Sequence, residues 1–303
     1  MPSSTEGFQS NNLRAALRDA LAGKTAELER LLSCLGAVVT AKPNLKLAAA
    51  FGVELGALPG VVAPLLRKLG GDDAAPDTDR AFLPIAAAHG WAGRVREGRE
   101  VEVAWAALAE LAADERSAVR LGTRDALLGL GAQDGGIDTL LARGVVWLEL
   151  PDREIRFGAA ATVVEVLGER RLFTTLRDHD LLLQYLGRLI AEIADAPRAA
   201  ERSEGRRRLL TSLPTTLAVA IGSGANSAAA QRWFEAESAA ADHTAVRKVL
   251  SDTLVKLRAP AHGQSSAVIE DLRRTLEGSA KPLRDPTRLR AGTGRGKSSR
   301  RTR

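Results

Sequence analysis

The chain has one cysteine in 303 residues, Cys34, so no internal disulfide framework and no cysteine cluster for a metal can be built from it. Aromatic residues are scarce as well, 4% of the total against 45% hydrophobic. The apolar content is therefore mostly Ala, Leu and Val, a composition suited to closely packed helices. Long apolar runs are missing: none approaches the ~18 residues of a membrane span, and Leu217 to Ile221 is typical of those present. The opening MPSSTEGFQSNN has neither a basic segment nor an apolar one, and no secretory signal is expected. These absences point to a cytoplasmic protein of a reducing compartment, with no membrane partner. Sustained strand alternation is lacking too, and the one β-like run, GVVWLEL at 144–150, is too short to found a sheet.

What the sequence does contain is helical periodicity, clearest from Val101 to Leu130. Val101, Ala104, Trp105, Leu108 and Leu111 have the i, i+3, i+4, i+7 spacing of one helix face. A polar elbow, Asp114-Glu115-Arg116-Ser117, follows, and Val119, Thr123, Leu127 and Leu130 then mark a second helix. A helical hairpin of this size cannot bury its apolar stripe alone and requires copies to stack on.

Such copies occur. With an arginine as anchor, small or apolar residues follow at +3, +7 and +10 after Arg120, Arg156 and Arg247. A weaker copy begins at Arg206, with Gly205 where the others have Val or Ile. The four anchors are separated by 36, 50 and 41 residues, the scale of a two-helix repeat with one insertion, placed at 196–204. Pro214 falls within the Arg206 helix and is expected to kink it. Upstream, Leu13, Leu17 and Leu21 space one helix, and Leu28, Leu31, Leu32 and Leu35 the next. Further helices are expected from Pro43 to about Leu58, over Val62–Leu69, and from Phe82 to near Gly93, with an acidic loop at 72–79. Cys34, on a leucine-rich helix, is expected to be a small core residue.

An elbow Asp can cap the second helix, and an Arg in that helix's first turn can reach the equivalent carboxylate next door. An Asp six residues before an Arg that follows a Val also resembles the HEAT repeat, and Asp114 and Arg120 match it. Asp242 to Arg247 is one residue shorter and Asp152 to Arg156 two shorter. The resemblance covers roughly 79–278. It implies an all-α, curved α-solenoid of HEAT-like two-helix repeats, in which Asp114, Arg120, Asp242 and Arg247 tie neighbouring repeats together. Asp152 and Arg156 are placed in the same inter-repeat role despite their shorter spacing. The expected organisation is a disordered 1–11, a helical repeat domain over 12–278 with its clearest copies at 101–258, and a disordered basic tail over 279–303.

The net charge of +6 is not spread evenly. Residues 281–303 hold nine Lys/Arg and one Asp, while the other 280 residues hold 34 Lys/Arg and 36 Asp/Glu. Lys281, Arg284, Arg288, Arg290, Arg295, Lys297, Arg300, Arg301 and Arg303 are separated by Gly, Ser, Thr and Pro and include no aromatic neighbour. A segment of this kind binds phosphates without sequence preference and offers no base stacking. AGTGRGKS at 291–298 fits a relaxed phosphate-loop pattern but lacks the strand before it and the helix after it that such a loop requires. Arg206, Arg207 and Arg208 form a second basic cluster, unusual because three cations in a helix's first turn oppose its dipole.

Some bacterial proteins resembling HEAT arrays are alkylpurine DNA glycosylases, in which tryptophans and a carboxylate share a concave pocket and cradle a cationic base. The four tryptophans here, Trp91, Trp105, Trp147 and Trp233, show no paired motif of that type and read as inter-repeat packing. If a pocket of that kind exists, Trp147, Asp152 and Trp233 would form it. Histidines 89, 179, 243 and 262 make no metal-ligand spacing, and no metal, cofactor or catalytic residue is assigned. The preferred expectation is a non-catalytic helical-repeat scaffold for a macromolecular partner, a protein above all, with the basic tail adding polyanion affinity. The alternative is a nucleic-acid-binding or DNA-repair protein. Positive charge from Arg206, Arg207, Arg247 and Lys248 gathered on one face would favour the alternative.

Overall fold

The computed structural model describes residues 11–38, 42–222, 227–259 and 264–279. Among them the chain is all-helical, with no strand and fourteen α-helices. These are α1 (Asn11–Leu21), α2 (Ala26–Gly36), α3 (Leu45–Ala57), α4 (Ala63–Gly70), α5 (Phe82–Arg96), α6 (Val101–Ala112) and α7 (Ser117–Gly131). They continue as α8 (Gly136–Trp147), α9 (Arg153–Leu167), α10 (His179–Ala194), α11 (Glu204–Gly222), α12 (Ser227–Ala240), α13 (Thr244–Leu257) and α14 (Ser266–Gly278).

Several helices start where a side chain can accept an orphan amide of the first turn. Asn44 accepts from Leu47 N at 3.1 Å to open α3, and Asp178 accepts from Leu181 N at 2.8 Å to open α10. Asp152 opens α9 by accepting from the amides of Glu154 and Ile155 at 2.8 and 3.1 Å. At α13 the cap is His243 rather than Asp242: its Nδ1 accepts from Ala245 N at 3.2 Å. The GVVWLEL run is helical as far as Trp147, because Gly144 and Trp147 extend the buried stripe of Ile137, Leu140 and Leu141. The 196–204 insertion holds a 3₁₀ turn, Arg198–Arg202, followed by Ser203, whose Oγ accepts from Arg206 N at 3.2 Å.

The odd-numbered helices from α3 to α13 pack in one sequential row, each against the next. The even-numbered helices lie alongside: α4 meets α6, α8 meets α10, and α12 meets both α10 and α14. Within the row, α5 and α9 are enclosed. Every residue of α5 from Phe82 to Arg94 is buried, which requires neighbours on all sides, and α2, α3, α4, α6 and α7 supply them. Its contact with α3 depends on glycine, since a Cβ on Gly93 would overlap the Gly52 carbonyl and one on Gly56 would lie 2.8 Å from the Gly93 oxygen. A second close approach joins three segments. A Cβ on Gly158 would lie 2.6 Å from Ala113 Cα, and one on Gly205 would lie 2.6 Å from Gly158 N. The start of α11 thus presses on the start of α9, and α9 presses on the turn after α6.

The residues at +3, +7 and +10 from the four anchors are all buried: Thr123, Leu127 and Leu130; Ala159, Val163 and Val166; Leu209, Leu213 and Thr216; Leu250, Leu254 and Leu257. Pro214 lies buried inside α11. The expectation for Cys34 is corrected, because its side chain is exposed. The buried stripe of α2 is Leu28, Leu32 and Gly36, and Cys34 sits two residues off that i, i+4, i+8 line. Leu21, the last residue of α1, and Leu35, next to the end of α2, are exposed as well.

Candidate functional site

Each of the four anchor arginines donates to a backbone carbonyl in the last turn of the preceding helix or in the turn that follows it. Arg120 Nη1 reaches Asp114 O at 2.8 Å and Glu115 O at 2.6 Å. Arg156 Nη1 lies 3.5 Å from Leu148 O, Arg206 Nη2 3.5 Å from Ile193 O, and Arg247 Nη1 3.2 Å from Ala241 O. These carbonyls are the acceptors a helix end leaves unpaired, so one guanidinium closes each hairpin.

Three of the four also reach outside their own hairpin. Arg120 lies 3.8 Å from Glu204 at the start of α11, and Arg156 lies 3.5 Å from Glu192 on α10. Arg247 instead donates to Leu276 O and Ser279 Oγ, both at 2.6 Å, at the end of α14. Asp114 meets a different arginine from the one its spacing suggests. Its carboxylate takes both Arg116 Nε and Nη2, at 2.8 and 2.7 Å, and caps Arg116 N at 2.8 Å. Arg116 then spans to the preceding loop, donating to Asp72 O and Ala74 O at 2.7 and 3.1 Å. The sequence reading does not single out Arg116, although its position inside the elbow is the available signal. Asp152 caps α9, and Asp242 is exposed at the turn before α13.

The Arg206, Arg207 and Arg208 cluster divides. Arg206 is only 7% exposed, and its guanidinium points to the last turn of α10. Arg208 forks onto Glu165 of α9 at 3.1 and 2.9 Å and donates to Thr162 Oγ1 and Ala112 O at 3.0 and 3.2 Å. It therefore locks the glycine junction of α6, α9 and α11. Burial holds the Arg120 guanidinium below its ordinary pKa, and the nearby charge of Arg208 adds to this. Arg207 alone faces solvent, paired with Glu204 at 2.8 Å.

Trp147, Asp152 and Trp233 serve separate contacts. Trp147 is buried with its ring edge-on to Trp105, centroids 5.7 Å apart, and Arg143 lies 5.5 Å over the Trp105 ring. Asp152 is exposed at its cap. Trp233 is half-buried on α12 near Gly187 and Glu237, where burial raises the Glu237 carboxyl above its usual range. On α5, His89 is buried with its Nε2 3.7 Å from Asp125 of α7, and burial holds its pKa down to about 4. Among the described residues no group of three or more His, Cys, Asp or Glu is placed to hold a metal ion. No helix among them is long and apolar enough to cross a membrane.

Of the four cations named as diagnostic, Arg247 and Lys248 share one feature. They line a groove of about 640 Å³ between α13 and α14, together with Arg258, Arg273 and Glu277. Arg258 and Arg273 carry no signal in the sequence, since neither belongs to a run of three or more basic residues. The nine cations from Lys281 to Arg303 lie outside the described residues. No family model matches this chain, and no curated protein or solved structure matches it.

Proposed function

We propose that the chain is a non-catalytic helical-repeat scaffold, HEAT-like in its hairpins, that binds a macromolecular partner, with the basic tail adding polyanion affinity. The observation that carries this reading is the same arginine-to-turn bond at four successive hairpins, Arg120, Arg156, Arg206 and Arg247. A feature repeated along a row serves stacking, and stacked hairpins give an extended surface of the kind repeat proteins use for recognition. The neutral body over most of the chain suits a protein partner, and the cationic end adds non-specific attraction. Affinity capture by the full-length protein, with and without nuclease treatment, tests this. A discrete protein retained after nuclease supports the scaffold. Loss of every captured species on nuclease treatment contradicts it.

The nucleic-acid reading draws on one specific observation, the grouping of Arg247, Lys248, Arg258 and Arg273 around one groove beside the basic tail. The glycosylase-like reading gains nothing comparable, because Trp147, Asp152 and Trp233 are engaged in three different contacts.

A further inference from the structure

The α13–α14 groove differs from the Arg120 and Arg156 anchor sites in how its charge is balanced, and from the Arg206 site, which is buried, in being open to solvent. Arg120 and Arg156 each have a glutamate within 4 Å, Glu204 at 3.8 Å and Glu192 at 3.5 Å. Arg247 makes three bonds, all to neutral acceptors: Ala241 O, Leu276 O and Ser279 Oγ. Its guanidinium is fixed in place, yet among the described residues no carboxylate pairs with it. Arg258, at the end of α13 on the same groove, likewise has no carboxylate partner among the described residues.

The remaining cations are only lightly held. Lys248 pairs with Asp252 at 2.9 Å, but its side chain is 74% exposed. Arg273 is shared between Glu270 at 3.8 Å and Glu277 at 2.8 Å, and is 47% exposed. Exposed i, i+3 and i, i+4 pairs of this kind contribute little and exchange readily for another anion. The hydroxyls of Thr244 and Ser251 also line the groove, and its apolar part is aliphatic, including Val255 at 63% exposure. Among the described residues no aromatic lines it.

Ser279, which Arg247 holds, leads directly into 281–303, with its nine Lys/Arg and one Asp. A segment of that length reaches at most about 83 Å. A long, continuous polyanion can meet both the groove and the segment at once. Duplex DNA carries a charge about every 1.7 Å of its axis. A folded acidic protein offers no such line of charge.

We propose that the α13–α14 groove is a nucleic-acid site that holds the phosphate backbone, with Arg247 as its fixed contact and Lys248, Arg258 and Arg273 as exchangeable ones. It deepens the nucleic-acid reading, on which it rests, by naming the contacts and placing them at the C-terminal end of the row. Without an aromatic platform, the groove reads phosphates and not bases, so its affinity is indifferent to sequence.

The test is fluorescence anisotropy of the full-length protein with a labelled random-sequence duplex over a salt series. Lys248→Glu/Arg258→Glu is compared with the same two-charge reversal at Arg18 and Arg30 near the other end, and Lys248→Gln/Arg258→Gln guards against a folding defect. The groove reversal should lower affinity about tenfold or more and reduce the salt slope by about 2, at roughly 0.9 for each phosphate that is no longer neutralised. The neutral pair should give an intermediate drop in affinity with unchanged helical circular dichroism. If the groove variants behave like the distant pair, or the unmodified protein does not bind, the site is wrong. Neither outcome touches the capture of a protein partner, so the two readings fail separately.

Discussion

Arg247 on α13 holds a carbonyl in the last turn of α14: its Nη2 donates to Leu276 O at 2.6 Å while Nη1 donates to Ala241 O at 3.2 Å in the turn before its own helix. One side chain thus ties one hairpin's turn to the end of the next helix. Replacing it by Met, which keeps the aliphatic stem, removes donors to two terminal carbonyls and a hydroxyl. Such bonds to a charged donor contribute about 1.5–3 kcal/mol. Arg247→Met should lower stability in urea by about that amount. Hydrogen exchange should accelerate first at the end of α14, and uniform acceleration along the row would contradict a local tie.

Arg94 and Glu100 predict a larger effect. Arg94 is 2% exposed, donates to the carbonyls of Leu55, Leu58 and Gly60 at 3.1, 2.7 and 2.9 Å, and meets Glu100 at 2.8 Å. Glu100 also accepts from Ala63 N at 3.1 Å, so the pair fastens the end of α3 to the start of α4. It does so from a left-handed backbone, φ 47°, which a non-glycine residue adopts only when its contacts enforce it. Glu100→Ala leaves a buried guanidinium uncompensated and should cost about 3–5 kcal/mol in chemical denaturation. A decrease under about 1 kcal/mol would mean that the three carbonyls suffice.

How much of this is readable in the sequence divides along physical lines. Helix periodicity marks α6, α7, α9 and α13, because amphipathic spacing is a local property. The four anchors are visible as a recurring arginine with buried +3, +7 and +10 positions. What the arginines hold is not, because backbone carbonyls leave no signature in a sequence. Asp114 and Arg120 sit at the expected spacing, yet Asp114 takes Arg116, which lies closer along the elbow. Arg206, Arg207 and Arg208 read as one basic cluster, but the helix turns each to a different environment: interior, solvent and Glu165. Cys34 fails as a core residue because leucine density on α2 does not say which leucines share the buried line.

Two glycine substitutions should act in opposite directions. Gly129 lies in α7 with nothing within 4 Å of a built Cβ and no positive φ, whereas Gly93 would drive its Cβ into the Gly52 carbonyl. Gly129→Ala should therefore stabilise by about 0.5–1 kcal/mol, chiefly by lowering the entropy of the unfolded chain. Gly93→Ala should destabilise by about 1–3 kcal/mol or more, since α3 and α5 must part. Thermal unfolding of the two variants checks both signs at once.

His89 sets a pH dependence. Its folded pKa of about 4 lies below the ordinary 6.5, so the folded state binds fewer protons than the unfolded one between those values. Its contribution is present above pH 6.5 and is lost as pH falls through 4. A shift of this size corresponds to roughly 3 kcal/mol between those limits. Asp125, which faces it, has a carboxyl raised by burial and contributes with the opposite sign. His89→Leu should flatten urea stability across pH 6.5 to 4. An unchanged acid slope would place that dependence elsewhere.

The most direct test of the proposal that a helical body carries polyanion affinity at its C-terminal end is a salt-series titration of duplex DNA and RNA. It compares the full-length chain with one ending at Ser279. The full-length chain should bind both with a steep salt slope, and the shortened chain should keep only the weak, shallow-sloped affinity of the α13–α14 groove. Equal affinity and an equally steep slope for the shortened chain would make the helical body itself the nucleic-acid reader and contradict this account.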